Sequence, residues 1–100
     1  MKQGWNMSDS FWYVYVLQCS DGSLYCGITT DVDRRFSEHQ TGVGAKYTRA
    51  KLPVKLLVYW TEDNRSDATK VEIAFKKRTR KKKLQFIEQK RIEQQSASQS

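Results

Sequence analysis

The chain has 100 residues and a formal net charge of +7, from 18 Lys and Arg against 11 Asp and Glu. A chain of this length buries roughly 60–68% of its unfolded surface, enough for one hydrophobic core and too little for two domains. An apolar share of 38%, with 12% aromatic residues, excludes a wholly disordered chain, and no apolar run approaches the ~18 residues of a membrane span.

In chain order, residues 1–10 are polar, lack the apolar stretch of a signal peptide and are expected to form a flexible N-terminus. A cytoplasmic location follows, with Cys19 and Cys26 as reduced thiols. Phe11 to Gln18 is rich in aromatic and β-branched residues and too short for a helix, so it predicts a strand. Ser20-Asp21-Gly22 is a turn signal, and Leu24 to Ile28 predicts a second strand, antiparallel to the first. Thr30 or Asp31 can cap a helix whose inward face is Val32, Phe36 and His39, with Gly42 as its natural stop. Gly42 to Lys51 predicts a loop. Beyond Pro53, the apolar run Val54 to Trp60 predicts a third, well-buried strand. Ser66 can cap a second helix running to about Arg78, with Ala68, Val71 and Phe75 inward. Thr79 can cap a third helix carrying Leu84, Ile87 and Ile92. Residues 94–100 are low-complexity Gln and Ser and are expected to be a disordered tail, leaving 11–93 as the domain. The order β-β-α-β-α-α predicts an α+β fold: a small three-stranded antiparallel sheet flanked by helices.

The charge is concentrated. Between Lys70 and Arg91 ten basic residues face only Glu72 and Glu88, a balance of +8, and the other 78 residues stand at −1. Such a cluster marks either a polyanion partner, nucleic acid ahead of a membrane surface, or a solvated helix face.

No Cys-x-x-Cys zinc pattern occurs, and one histidine excludes a multi-histidine metal site. Any metal must lean on carboxylates, which favours a hard ion such as Mg2+ or Mn2+. Arg35 and His39 are helical neighbours bordering the Val32/Phe36 stripe; such an arginine either packs its stem or is poised over a pocket. Glu72 flanks the buried stripe of its helix and is the only acid between Lys70 and Arg80. It is either a salt-bridge partner of Lys76 or a metal ligand set where phosphate is drawn in. Tyr13, Tyr15 and Tyr25 on the hairpin read as ordinary packing by themselves.

Together, in order, these residues resemble the GIY-YIG nuclease superfamily, which includes homing endonucleases, the incision subunit of bacterial nucleotide-excision repair and structure-specific junction nucleases. The first motif reads here as Tyr13-Val14-Tyr15 and the second as Tyr25-Cys26-Gly27. The family's helix arginine corresponds to Arg35, its frequent His or Tyr one turn later to His39, and its metal-binding glutamate to Glu72. The stretch from Ile28 to Arg35 and on through Gly42-Val43-Gly44-Ala45-Lys46 is most similar to small single-domain bacterial members, the YhbQ-like proteins. The resemblance covers about Trp12 to Lys90. Three departures stand out: Tyr13 replaces the first glycine, Cys26 replaces isoleucine, and no asparagine follows Asn64.

The resemblance implies a metal-dependent DNA endonuclease, of the kind that serves repair or recombination. Tyr15 or Tyr25 would help deprotonate the attacking water, His39 would relay, and Arg35 would bind the phosphate oxygens. Glu72 would hold Mg2+ or Mn2+, and Gly27 would leave room for substrate beside Tyr15. Lys46 and Arg49 in the loop, with Lys76 and Lys77 on the second helix, are further substrate-binding candidates. Target choice would come from this domain or from a protein partner. The competing expectations are a nucleic-acid-binding module with the nuclease fold and little or no cleavage, and a protein-interaction domain for an acidic partner.

The hairpin supplies a geometric condition. A two-residue turn at Asp21-Gly22 would set Tyr15 and Tyr25 on opposite sheet faces. A three-residue loop Ser20-Asp21-Gly22, with Gly22 left-handed, pairs Tyr15 with Gly27 and Tyr25 with Leu17, bringing both tyrosines to one face.

Overall fold

The computed structural model describes residues 11–99, with side chains through 95; the segment expected to be a flexible N-terminus lies outside them. The elements are β1 (Trp12–Gln18), β2 (Leu24–Thr29), α1 (Val32–Gln40), α2 (Lys46–Arg49), β3 (Lys55–Glu62), α3 (Arg65–Lys76) and α4 (Arg80–Gln99). The three strands form one antiparallel sheet in the order β2-β1-β3, giving the α+β class expected.

β1 is the central strand, which explains its nearly continuous apolar run: both of its faces are covered. Val14 and Val16 point to one side, where they join Cys26, Val58 and Trp60 against Ala68 and Phe75 of α3 and Ile87 of α4. Tyr15 and Leu17 point to the other, where Cys19, Val54, Tyr25 and Phe36 pack around them. Each fully buried side chain of this size contributes roughly 1.5–3 kcal/mol, so β1 anchors both layers.

The hairpin is the three-residue form. Tyr15 pairs with Gly27 and Leu17 with Tyr25. Gly22 has φ of 86°, a left-handed conformation that a side chain would strain. The Cys19 N–H donates to the Ser23 carbonyl at 2.8 Å, closing the loop. The Asp21 carboxylate accepts from the Ser23 N–H and hydroxyl, which holds its pKa down to about 2.

Asp31 caps α1, accepting from the Arg34 N–H at 3.1 Å. Gly42, with φ of 85°, follows the C-terminus of α1 as expected.

Several expectations need correction. The Gly42–Lys51 loop contains the short helix α2. Asn64, not Ser66, caps α3, because its side-chain Oδ1 accepts from the Asp67 N–H at 2.8 Å. β3 is an edge strand, with Lys55 and Tyr59 exposed, rather than a well-buried one. Its register shifts beside Val16, leaving Leu57 without a β1 partner; this bulge turns both Leu57 and Val58 to the α3/α4 face while Leu56 packs on the other. On α4 only Ile87 of the expected stripe is buried. Leu84 and Ile92 are exposed, and Phe86 does the remaining packing. The α4 backbone also stays helical to Gln99, where a disordered tail was expected from residue 94; the Gln94 side-chain amide donates to the Tyr59 carbonyl on β3. No described helix is long and apolar enough to cross a membrane.

Candidate active site

The centre of the site is the sheet face under α1. Tyr15 is 2% exposed, and its ring lies over the Gly27 backbone. A Cβ at Gly27 would fall 2.5 Å from the Tyr15 hydroxyl. The missing side chain at Gly27 thus makes room for Tyr15 itself, which revises the expectation that it makes room for substrate.

α1 sets His39 above Tyr15, with Nε2 and the tyrosine hydroxyl 2.8 Å apart. On the other side of the ring, Nδ1 is 2.7 Å from Thr48 Oγ1, on α2. The Thr48 hydroxyl has one proton, and it is directed to the Ala45 carbonyl at 3.0 Å. Thr48 Oγ1 therefore accepts from His39 Nδ1–H, which assigns the tautomer. In a neutral ring Nε2 is then the acceptor, and the Tyr15 O–H donates to it. Burial, followed by the positive charge of Arg35, lowers the His39 pKa and keeps the ring neutral. Burial, followed by the neighbouring Tyr25, raises the Tyr15 pKa, while Arg35 opposes the rise.

His39 is fully buried and is clamped by Gly44, where a Cβ would come 2.5 Å from Nδ1 and 2.9 Å from the His39 Cα. The loop after α1 therefore needs a glycine at that point.

Tyr25 extends the cluster toward the free edge of β2. Its ring centroid is 5.3 Å from that of His39, 6.3 Å from Tyr15 and 5.9 Å from Tyr47, the last pair roughly parallel at 27°. Arg35, one turn before His39, is tied to Glu38 at 2.9 Å. This ion pair is the main reason its pKa is raised, with Tyr15 also contributing. One carboxylate leaves most of its five N–H donors free for a second anion.

Glu72 comes from α3, on the opposite face of the sheet. Its Oε2 is 3.4 Å from the Lys76 ammonium, whose nitrogen lies 5.9 Å from the Tyr25 ring centroid. Lys76 thus bridges the carboxylate to the tyrosine cluster around the β2 edge. The Glu72 charge also adds to burial in pushing the Cys26 thiol up to about 12. The structure brings Tyr15, Tyr25 and His39 into direct contact, with Arg35 beside them and Glu72 one lysine away. Lys46, Arg49 and Lys77 are exposed, and among the described residues no hydrogen bond or ion pair joins their side chains to the site.

Sequence reasoning missed Thr48 and Tyr47 and gave Gly44 no role of its own. The Gly42–Lys46 stretch had been marked by its resemblance, and Tyr47-Thr48 follows it directly. Nothing in their own spacing singled them out.

Divalent metal fits one part of this arrangement. Mg2+ is usually held by one or two carboxylates, with water and substrate phosphates completing its shell, and Glu72 is such a lone carboxylate. Among the described residues no three His, Cys, Asp or Glu converge into a full protein cage.

Comparison with known proteins identifies the family. A family model described as the GIY-YIG catalytic domain matches residues 11–85. A UPF0213 protein of Streptococcus agalactiae is 55% identical over 82 residues, covering 82% of this chain and 93% of that one. A UPF0213 protein of Haloquadratum walsbyi is 49% identical, covering 81% of this chain and 91% of its own. Among solved structures, the solution NMR structure of a UPF0213 protein from Bacillus halodurans aligns with a TM-score of 0.54 at 45% identity, covering 80% of this chain and 85% of that one. A protein from E. faecalis, also solved by NMR, aligns at 0.57 and 49% identity, covering 79% and 84%.

Proposed function

This chain belongs to the GIY-YIG family and carries that family's nuclease-type fold, and on that premise we propose that it hydrolyses phosphodiester bonds in DNA with a divalent metal. The supporting observation is the chain Tyr15–His39–Thr48 with Arg35 at its side.

In this reading the attacking water gives its proton to the Tyr15 oxygen as Tyr15 passes its own to His39 Nε2. A buried phenol of raised pKa is a poor base alone, but a neutral imidazole 2.8 Å away removes the need for a free phenolate. His39 keeps its Nδ1 proton on Thr48 throughout, so the ring stays aimed at Tyr15. Arg35 binds the non-bridging phosphate oxygens with the donors that Glu38 leaves free. Glu72 would hold Mg2+ or Mn2+, which supplies Lewis-acid polarisation of the phosphate and stabilises the leaving oxygen. Lys76, paired with Glu72 here, would give up that carboxylate to a metal and stay available to the phosphate backbone.

One observation favours a second reading, a nucleic-acid-binding module with little cleavage: Glu72 is already paired with Lys76. A cleavage assay with Mg2+ or Mn2+ on single-stranded, duplex and branched DNA, and on RNA, separates the two. The parent is expected to cut DNA, and Arg35→Ala and Glu72→Ala to lose roughly 10²-fold or more in rate. Equal cleavage by parent and variants would remove the site assignment. Tight, salt-sensitive binding without cleavage would select the second reading.

A further inference from the structure

Beside Tyr25, on the side away from His39, is a cavity of about 420 Å3. Its walls include Tyr25 and Tyr47, its floor Leu24 and Phe75, and Lys76 and Lys83 border it. None of its residues is part of the Tyr15–His39–Thr48 proton chain, although the Tyr25 ring packs against it. We propose that this cavity is a nucleobase subsite: it receives one unstacked base of the same nucleotide strand whose phosphate is held at Arg35. The inference rests on the nucleic-acid reading above and deepens it by naming where a base goes.

The lining matches the ligand class. A nucleobase is a flat ring carried on an anionic backbone. Tyr25 and Tyr47 form an aromatic wall, and base–aromatic contacts are tolerant of sequence because every base has a π-face. The volume lies at the lower end of the roughly 300–1,000 Å3 typical of small-ligand pockets. Three ammonium groups stand over the lining rings: Lys51 is 3.9 Å from the Tyr47 centroid, Lys76 5.9 Å from that of Tyr25 and Lys83 5.9 Å from that of Phe75.

Lys83 is half-buried, and among the described residues no carboxylate pairs with it. A half-buried lysine without a carboxylate partner can take an anion from outside the chain. Tyr47 is 43% exposed, so an arriving base reaches it with at most the Lys51 side chain, now over its ring, giving way. Tyr25 lines the cavity and packs against Tyr15 and His39, which sets the cavity beside the proton chain. A free nucleotide would satisfy the same groups, but only a polymer would fill the cavity and the Arg35 position together.

The test is an abasic scan. Oligonucleotides carrying a single abasic position, moved stepwise along the strand, are bound to the parent, Tyr47→Ala and Lys83→Gln without divalent metal, so that no cleavage intervenes. The expected result is one position at which base loss weakens parent binding about tenfold. Intact oligonucleotide should bind Tyr47→Ala about tenfold more weakly, and the abasic position should then cost nothing further. Lys83→Gln should weaken binding at every position yet keep the scan's shape, since it loses a phosphate contact only. Thermal melting of Tyr47→Ala confirms that it folds, and Tyr47→Phe should restore affinity.

A flat scan with intact parent binding overturns the subsite and leaves the nuclease reading standing. An abasic effect of equal size in Tyr47→Ala also overturns it. No binding of any oligonucleotide overturns both.

Discussion

At the scale of single residues, His39 concentrates the most consequence. It is fully buried between two hydrogen-bond partners, and its lowered pKa has a direct effect on stability. The unfolded chain takes up a proton near pH 6.5, whereas the folded chain resists doing so. Its contribution is therefore fully present above about 6.5 and is lost as pH falls toward the lower folded value.

Urea midpoints of the parent should drop between pH 7 and pH 5. In Thr48→Val the Nδ1–H is left buried without an acceptor, costing about 1–3 kcal/mol at neutral pH. A flat pH profile in the parent, together with an unchanged midpoint in the variant, would refute the assigned tautomer. Arg35 and His39 were legible as candidates because they recur on one helix face. Thr48 was not, since its role is a contact across nine residues of irregular chain, and local patterning carries no trace of such a contact.

At the scale of elements, the hairpin was the most legible part. A left-handed Gly22 suits either a two-residue or a three-residue turn, and it is the need to bring Tyr15 and Tyr25 to one face that singles out the three-residue loop. Shorter signals failed. α2 spans four residues, below the length at which helical periodicity or nucleation can be read. Asn64 and Ser66 are both competent caps, and only the bond to Asp67 decides between them.

α4 carries a different message. It opens Arg80-Lys81-Lys82-Lys83, with no acid in its first turn, where the helix dipole favours Asp or Glu. That local conflict is the kind tolerated for function. Lys81→Glu should therefore stabilise the domain, by about 0.3–1 kcal/mol, while weakening DNA binding. Thermal melts and binding isotherms on the same variant check both signs, and a variant that gains stability at no cost in affinity would make the basic turn a bystander.

At the scale of the whole molecule, the free edge of β2 organises the candidate site. At one end is the cavity of Tyr25, Tyr47, Lys76 and Lys83. At the other is a cleft of about 310 Å3 with Arg34, Arg35 and Arg65, where the Arg65 guanidinium lies 5.3 Å from the Trp12 ring centroid. Leu24 borders the first and Ile28 the second, about 13 Å apart at ~3.3 Å per strand residue. The net charge alone pointed to the Lys70–Arg91 quarter. The fold adds three arginines from the near-neutral remainder, because strand pairing brings α1 and the start of α3 to the same edge.

A nucleic-acid strand along this edge would release counterions at both ends. Arg65→Gln and Lys83→Gln should each lower the slope of log affinity against log salt by about one, and the double variant by about two. Lys55→Gln, an exposed lysine of β3 on the opposite edge of the sheet, should leave the slope unchanged. Equal slopes for all of these chains would mean that the strand does not follow β2, and an effect confined to Lys83→Gln would restrict the contact to the α3/α4 end.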